Sequence, residues 1–204
     1  MQKNEKKNNP AEIADLEEEF AFLQRRCRQL GVPVLIVFEG HVGSGRGAMI
    51  NRLIQPLDPR GYAVSCITTP TPDEQMRPFL WRFWMRLPSA ERMAIFDRSW
   101  YWQILEDRLC GKLDKNGLNR AYKDVTTFEK QLLDGNILIF KFFLEISQKE
   151  QRARFETFRR NPASSWRTAD NTPFNQYNYG DYKKAARTMI EATDTGASPW
   201  KVLR

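Results

Sequence analysis

The chain has 204 residues, 41% of them hydrophobic and 12% aromatic, and a net charge of +7 from 32 basic and 25 acidic side chains. That length and composition describe one globular domain with a real core and exclude a disordered chain, while the basic balance suits an anionic partner such as nucleic acid, a polyanion or a nucleotide. The single histidine, His41, excludes most histidine-based metal sites, and Cys27, Cys66 and Cys110 lack metal spacing and imply no disulfide framework.

Residues 1–9 are polar and charged and are expected to form a disordered tail. They contain no apolar stretch of the kind a secretory signal needs. No run in the chain is long enough to cross a membrane, so a cytoplasmic location is expected. From Asn9 and Pro10, an N-cap and a first helical position, apolar residues recur at Ile13, Leu16, Phe20, Leu23, Cys27 and Leu30. This predicts a helix that ends at Gly31, with its stripe packed on its own domain; pairing with a partner helix is the alternative. Val34–Phe38 is a short, uniformly apolar strand, as a buried parallel strand should be. It runs into a glycine-rich turn and a helix carrying Met49, Ile50, Leu53, Ile54 and Leu57, which Asp58 to Gly61 stops.

Tyr62–Ile67 is the second predicted strand. After a proline-containing loop, Asp73 is expected to cap a helix running to about Arg86. Met93–Phe96 is a third strand ending at Asp97, followed by a helix over about Tyr101–Leu109. Residues 111–119 read as a polar linker, Tyr122–Leu133 as a helix, Asp134-Gly135 as a turn and Ile137–Ile146 as an apolar strand. Gln148–Arg160 is a basic helix, residues 161–180 a polar loop region, and Tyr182–Ala192 a last helix. Strands alternating with helices define an α/β fold with a parallel sheet covered on both faces.

Four segments carry chemistry. Gly40 and Gly45 have the spacing of a phosphate-binding loop, and the loop follows a buried strand and opens a helix. The backbone around Gly40, Gly43, Ser44, Gly45 and Gly47 is expected to aim N–H groups at one anion. Arg46 stands where such loops carry lysine, and Gly47 where they carry a magnesium-binding hydroxyl. Asp97, at the end of its strand, occupies a position that holds magnesium in such folds, with a helix N-cap or a salt bridge as the alternative, and Arg98 beside it can reach a phosphate. In the segment 77–86, Arg82 and Arg86 lie four apart between Trp81 and Trp84; the arginines are expected to meet a ligand and the tryptophans to join the core. Last, Arg152, Arg154, Arg159, Arg160 and Arg167, with Trp166, suit a basic lid over phosphates, with a solvated helix face as the alternative.

In this order the pieces resemble the polyphosphate kinase 2 family. The matching stretches are FEGHVGSGRGAMINRL, LDPRGYAV, PTPDEQMRPFLWRFWMRLP, IFDRSWY, FEKQLLDGNILIFKFFLEISQKEQRARF and TDTGASPW, and the resemblance covers about residues 30–203. It implies a P-loop kinase-like sheet sandwiched by helices, a single domain over 10–204 and a lid at about 150–180. It also implies phosphoryl transfer between inorganic polyphosphate and a nucleotide, with Mg2+ as cofactor. Family members usually read G-x-D-x-x-G-K-G at the loop. Here the aspartate is Val42 and the lysine is Arg46, so one expected metal carboxylate is absent and Asp97 remains. This pattern is similar to the less well-preserved half of two-domain polyphosphate:AMP phosphotransferases.

Two functions are therefore expected, and Val42 separates them, because an aliphatic side chain cannot ligate a hard cation. One is polyphosphate-dependent nucleotide phosphorylation, impaired by the altered loop, with Asp97, Arg46 and Arg98 as catalytic residues. Asp97 would then be the metal ligand, and Arg82, Arg152 and Arg159 would bind phosphate with the loop. The other is a non-catalytic polyphosphate- or nucleotide-binding domain, a homo-oligomer or a partner of an active homologue. Nucleic-acid binding has less support, since no recognition motif is present.

Overall fold

A computed structural model describes residues 9–162 and 178–204. Residues 1–8 of the expected 1–9 tail, and the part of the expected lid that includes Trp166 and Arg167, lie outside the described residues.

Helix α1 (Pro10–Gln29) starts where the sequence predicts, with the Asn9 side chain accepting from the Ala11 N–H. Strand β1 (Val34–Gly40) is buried along its whole length. It is followed by α2 (Arg46–Ile54), a 3-10 turn over Pro59–Gly61 and β2 (Tyr62–Cys66). Two short helices come next, α3 (Pro72–Gln75) and α4 (Trp81–Trp84). Then come β3 (Met93–Asp97), α5 (Trp100–Leu109), α6 (Lys115–Asp134), β4 (Leu138–Leu144), α7 (Gln148–Arg160), α8 (Tyr179–Thr193) and β5 (Trp200–Leu203).

All strands pair in parallel in the order β2-β3-β1-β4-β5. Successive β1 residues face opposite sides, so the strand belongs to two cores. Leu35 and Val37 join the larger core with Phe96, Trp100, Tyr101, Phe128 and Met189, beneath α5, α6 and α8. Val34, Ile36 and Phe38 join the smaller one with Ile50, Leu57 and Ile95, on the α2 side. This is the two-faced α/β sheet that the alternation predicts. Its neighbours reverse at β1, which opens a crevice at the carboxyl ends of β1, β3 and β4.

A charge crosses the larger core. Lys141, in the middle of β4 and fully buried, donates to Glu129 Oε2 at 2.8 Å, to the Tyr101 hydroxyl at 3.1 Å and to the Thr193 carbonyl at 2.9 Å. Ser198 Oγ reaches Glu129 Oε2 at 3.0 Å. Burial pulls the Lys141 pKa down, and Glu129 partly counters it. The network fastens α5, α6, α8 and the segment entering β5 to one strand.

Four local expectations change. The expected helix over residues 73–86 is two short helices, separated around Pro78, whose missing N–H interrupts a ladder. Thr71, not Asp73, caps the first, in a capping box with Glu74. The expected linker over residues 111–119 already contains the start of α6, capped by Asp114. The last apolar residues form the edge strand β5, which the sequence reading left unassigned. The α1 stripe divides: Phe20 and Cys27 pack on the smaller core, whereas Leu16 and Leu30 are 59% and 65% exposed. Its expected packing on its own domain is therefore only partial.

Candidate functional site

The 40–47 loop lies at the carboxyl edge of the sheet, between β1 and α2. Gly40 has φ 144, and a Cβ there would collide with the backbone carbonyl of Leu144 on β4. Gly43 has φ 76, and a Cβ would come within 2.8 Å of the Phe155 ring. Glycine at these two positions lets the β4 backbone and the Phe155 ring press against the turn. Inside the loop the Ser44 N–H is spent on the His41 carbonyl at 3.0 Å. The N–H groups of Gly43, Gly45, Arg46 and Gly47 have no hydrogen-bond partner among the described residues, and the last two open α2. Unspent amides at a helix start suit an anion.

Arg46 and Asp97 meet directly. Arg46 Nε donates to Asp97 Oδ1 at 2.8 Å, and its Nη1 donates to the Gly40 carbonyl at 2.7 Å. Both side chains are largely buried. Burial alone would lower the Arg46 pKa; Asp97, with Glu39 behind it, reverses this and holds it above the ordinary value. Arg98 follows with φ 68 and its N–H donated to the Phe38 carbonyl at 3.0 Å, while its guanidinium lies 5.0 Å from the centre of the Trp102 ring. Burial and the nearby Arg46 charge lower its pKa.

Glu39 has a role that the sequence reading missed. It is buried, and its Oε1 accepts from the Ser99 N–H at 2.8 Å, from Ser99 Oγ at 2.7 Å and from the Trp102 N–H at 3.2 Å. A carboxylate on β1 therefore caps α5 across the sheet edge. Burial pushes its pKa up, against Arg46 and Ser99. Polar residues inside an apolar strand are the signal that pointed to it. Val42, at the family's aspartate position, packs on the larger core.

Helix α7 closes over the loop from outside. Gln151 Nε2 donates to the Val42 carbonyl at 2.9 Å, and Arg154 Nη1 donates to the Gly43 and Ser44 carbonyls at 3.0 Å each. These bonds occupy the loop's carbonyls and leave its amides unspent. Of the expected lid arginines among the described residues, Arg154 alone is brought to the loop. Arg152 and Arg159 are exposed and make no ion pair among the described residues. Arg160 makes a long, exposed contact to Glu156 at 3.9 Å.

Arg82 lies elsewhere. It is 4% exposed, donates to the Thr68 carbonyl at 2.9 Å and lies 3.4 Å from Glu74. It lines a separate cavity of about 390 Å³ with Glu74, Gln103 and Glu106. Its Nε and Nη1 are buried without partners there, as is Gln103 Oε1. In this segment Arg82 is buried, Trp84 is half-exposed with its ring edge-on to Phe128 at 4.9 Å, and Trp81 carries the Arg77 guanidinium 4.3 Å above its ring. His41 stacks on Tyr179 with ring centres 4.9 Å apart, and burial pushes its pKa down to about 4. It is a neutral packing residue at neutral pH.

Among the described residues no group of three or more histidine, cysteine, aspartate or glutamate side chains could hold a metal ion. The donor set itself fits magnesium poorly: Val42 offers no oxygen, Glu39 binds α5 through Oε1 while its Oε2 is buried away from solvent, and Asp97 Oδ1 already faces a guanidinium.

A parallel sheet with a glycine-rich loop between its central strand and the next helix defines a P-loop kinase-like fold. The sequence matches the family described as Polyphosphate kinase 2 over residues 3–204, and the chain belongs to that family. It is 35% identical over 170 residues to a polyphosphate:AMP phosphotransferase of Pseudomonas syringae pv. tomato, a match that covers 83% of this chain and 34% of the relative. With the same kind of protein from Acinetobacter johnsonii it is 38% identical, covering 83% and 36%. A GDP-polyphosphate phosphotransferase of Mycobacterium tuberculosis is 31% identical, with 95% and 65% covered. The crystal structure of polyphosphate kinase 2 from Arthrobacter aurescens TC1 superposes with a TM-score of 0.90 at 28% identity, covering 95% of this chain and 70% of that one. The chain thus spans about a third of the length of the AMP phosphotransferases it matches. No helix among the described residues is long and apolar enough to cross a membrane.

Proposed function

We propose that this chain binds inorganic polyphosphate at the 40–47 loop and performs the phosphoryl transfer to a nucleotide that its relatives are named for only weakly or not at all. The ion pair between Arg46 and Asp97 is the observation that carries this reading. Phosphoryl transfer depends on positioning and on charge placed around the moving group. Here the loop's cation faces a strand-end carboxylate, and the other family carboxylate is Val42. Magnesium therefore lacks a complete set of oxygen ligands at the loop. Arg46, Arg98 and the loop amides remain as anion-binding groups, and Arg152 and Arg159 add long-range attraction as part of a lid. Arg82 in its own cavity offers unspent guanidinium N–H groups to a second phosphate, such as that of a nucleotide.

The second reading is a binding domain that pairs with an active homologous domain. The half-exposed apolar stripe of α1 favours it, since such a face is usually covered. One assay tests both readings: purified chain, polyphosphate and magnesium, with each of AMP, ADP, GMP and GDP, product being followed beside calorimetric binding. Binding with little or no product is expected. Robust turnover by the isolated chain would sink the impaired reading, and absence of binding at low salt would sink both.

A further inference from the structure

We infer that the 40–47 loop takes a polyphosphate anion without a divalent cation, Arg46 standing in for the metal. The inference rests on the polyphosphate-binding reading above and concerns what that binding requires.

The oxygens around the loop are mostly occupied. Asp97 Oδ1 accepts from Arg46 at 2.8 Å, and the Gly40 carbonyl accepts from Arg46 at 2.7 Å and from the Tyr182 hydroxyl at 3.0 Å. The Val42, Gly43 and Ser44 carbonyls accept from Gln151 and Arg154. Glu39 Oε1 takes the hydrogen bonds of Ser99 and Trp102, while its Oε2 has no partner but is buried away from solvent. A hard cation needs several free oxygens and would sit beside two guanidinium charges, Arg46 and Arg98, which already repel each other.

The donors are in the opposite condition. The amides of Gly43, Gly45, Arg46 and Gly47 have no partner among the described residues. Arg46 spends Nε and Nη1 inside the protein and makes no bond through Nη2 among the described residues. A guanidinium anchored on one edge and open on the other is a fixed positive group that can face a phosphate oxygen. Donors left over beside acceptors that are taken or, like Glu39 Oε2, shut away from solvent define a site for an anion.

The test is titration calorimetry of the purified chain with a linear inorganic polyphosphate of defined length, once in EDTA and once in magnesium at equal ionic strength. The expected affinities agree within about threefold, or binding is tighter in EDTA, where the polyanion carries no competing ion. Arg46→Met should lose at least about tenfold in EDTA while its circular dichroism and melting curve show the fold retained. If that variant does not fold, Arg46→Lys is used, and it should bind more weakly in EDTA. Val42→Asp with Arg46→Lys should bind more tightly in magnesium than in EDTA by at least about tenfold. Native binding that is tenfold or more tighter with magnesium overturns this inference and leaves the polyphosphate reading standing. Binding in EDTA that survives the loss of Arg46 also overturns it. No binding in either buffer overturns both.

Discussion

Arg46 Nε sits 2.8 Å from Asp97 Oδ1, which joins the first residue of α2 to the last residue of β3. The salt bridge that the sequence left open for Asp97 is thus formed, between two groups expected to serve a phosphate and a metal. The pairing is a consequence of sheet order, since β1 and β3 are adjacent and bring their carboxyl ends together.

Restoring the family pattern should therefore restore chemistry. The double change Val42→Asp with Arg46→Lys is expected to raise polyphosphate-dependent nucleotide phosphorylation at least about tenfold, a barrier change of roughly 1.4 kcal/mol. Steady-state rates with each nucleotide measure it. Native activity that the change leaves alone or lowers would show that the chain has a working site of its own.

Helix α7 should matter through orientation as well as charge. Arg154→Ala removes the clamp on the Gly43 and Ser44 carbonyls and is expected to weaken polyphosphate binding by about tenfold. Alanine at Arg152, Arg159 and Arg160 together should weaken binding, flatten its salt dependence and move the melting temperature little. Titrations at two salt concentrations separate the two effects. A salt slope unchanged in the triple variant would remove those arginines from the account.

His41 should make the fold acid-sensitive. Its folded pKa is lowered to about 4 from the usual 6.5, so the unfolded state binds the proton first. The effect is absent above pH 6.5, grows as pH falls and is complete near pH 4, where it amounts to about 3 kcal/mol lost. Glu39, pushed up by burial, acts the other way, so the comparison is between native chain and His41→Leu. Denaturant melts across this window should show a shallower acid decline in the variant; parallel declines would show that His41 titrates normally.

Breaking the buried pair in the core should cost much more than removing it. Lys141→Met leaves Glu129 charged and buried and is expected to cost about 3–5 kcal/mol. Adding Glu129→Gln should recover most of that loss. Urea unfolding of the single and double variants forms the cycle, and additive losses would mean that the two residues do not act as a pair.

Gly40→Ala should disrupt the sheet edge, because its φ of 144 and the Leu144 carbonyl leave no room for a methyl group. A loss of at least about 2 kcal/mol is expected. Gly47→Ala, with nothing near its position, should be close to neutral for folding. Equal melting temperatures for the two variants would contradict the contact.

The sequence by itself determined the alternation of strands and helices, because burial on both faces forces an uninterrupted apolar run such as Val34–Phe38. It also determined the glycine-rich loop, whose glycine spacing is local, and the family, whose signatures are contiguous stretches. The ends of α1 and α7 were legible for the same reason: a capping side chain acts within its own turn. The short helices α3 and α4, the early start of α6 and the edge strand β5 were not, because tertiary packing outweighs weak local preference there. Only the tertiary structure decided which charges meet. Arg46 and Asp97 are 51 residues apart in the chain, Glu39 and Ser99 are 60 apart, and Arg154 and Gly43 are 111 apart. A charge in a sequence carries no record of its partner. Sheet order and the closure of α7 placed these side chains within hydrogen-bond range, and that placement converted a list of phosphate and metal ligands into a site whose donors are free and whose acceptors are largely spent.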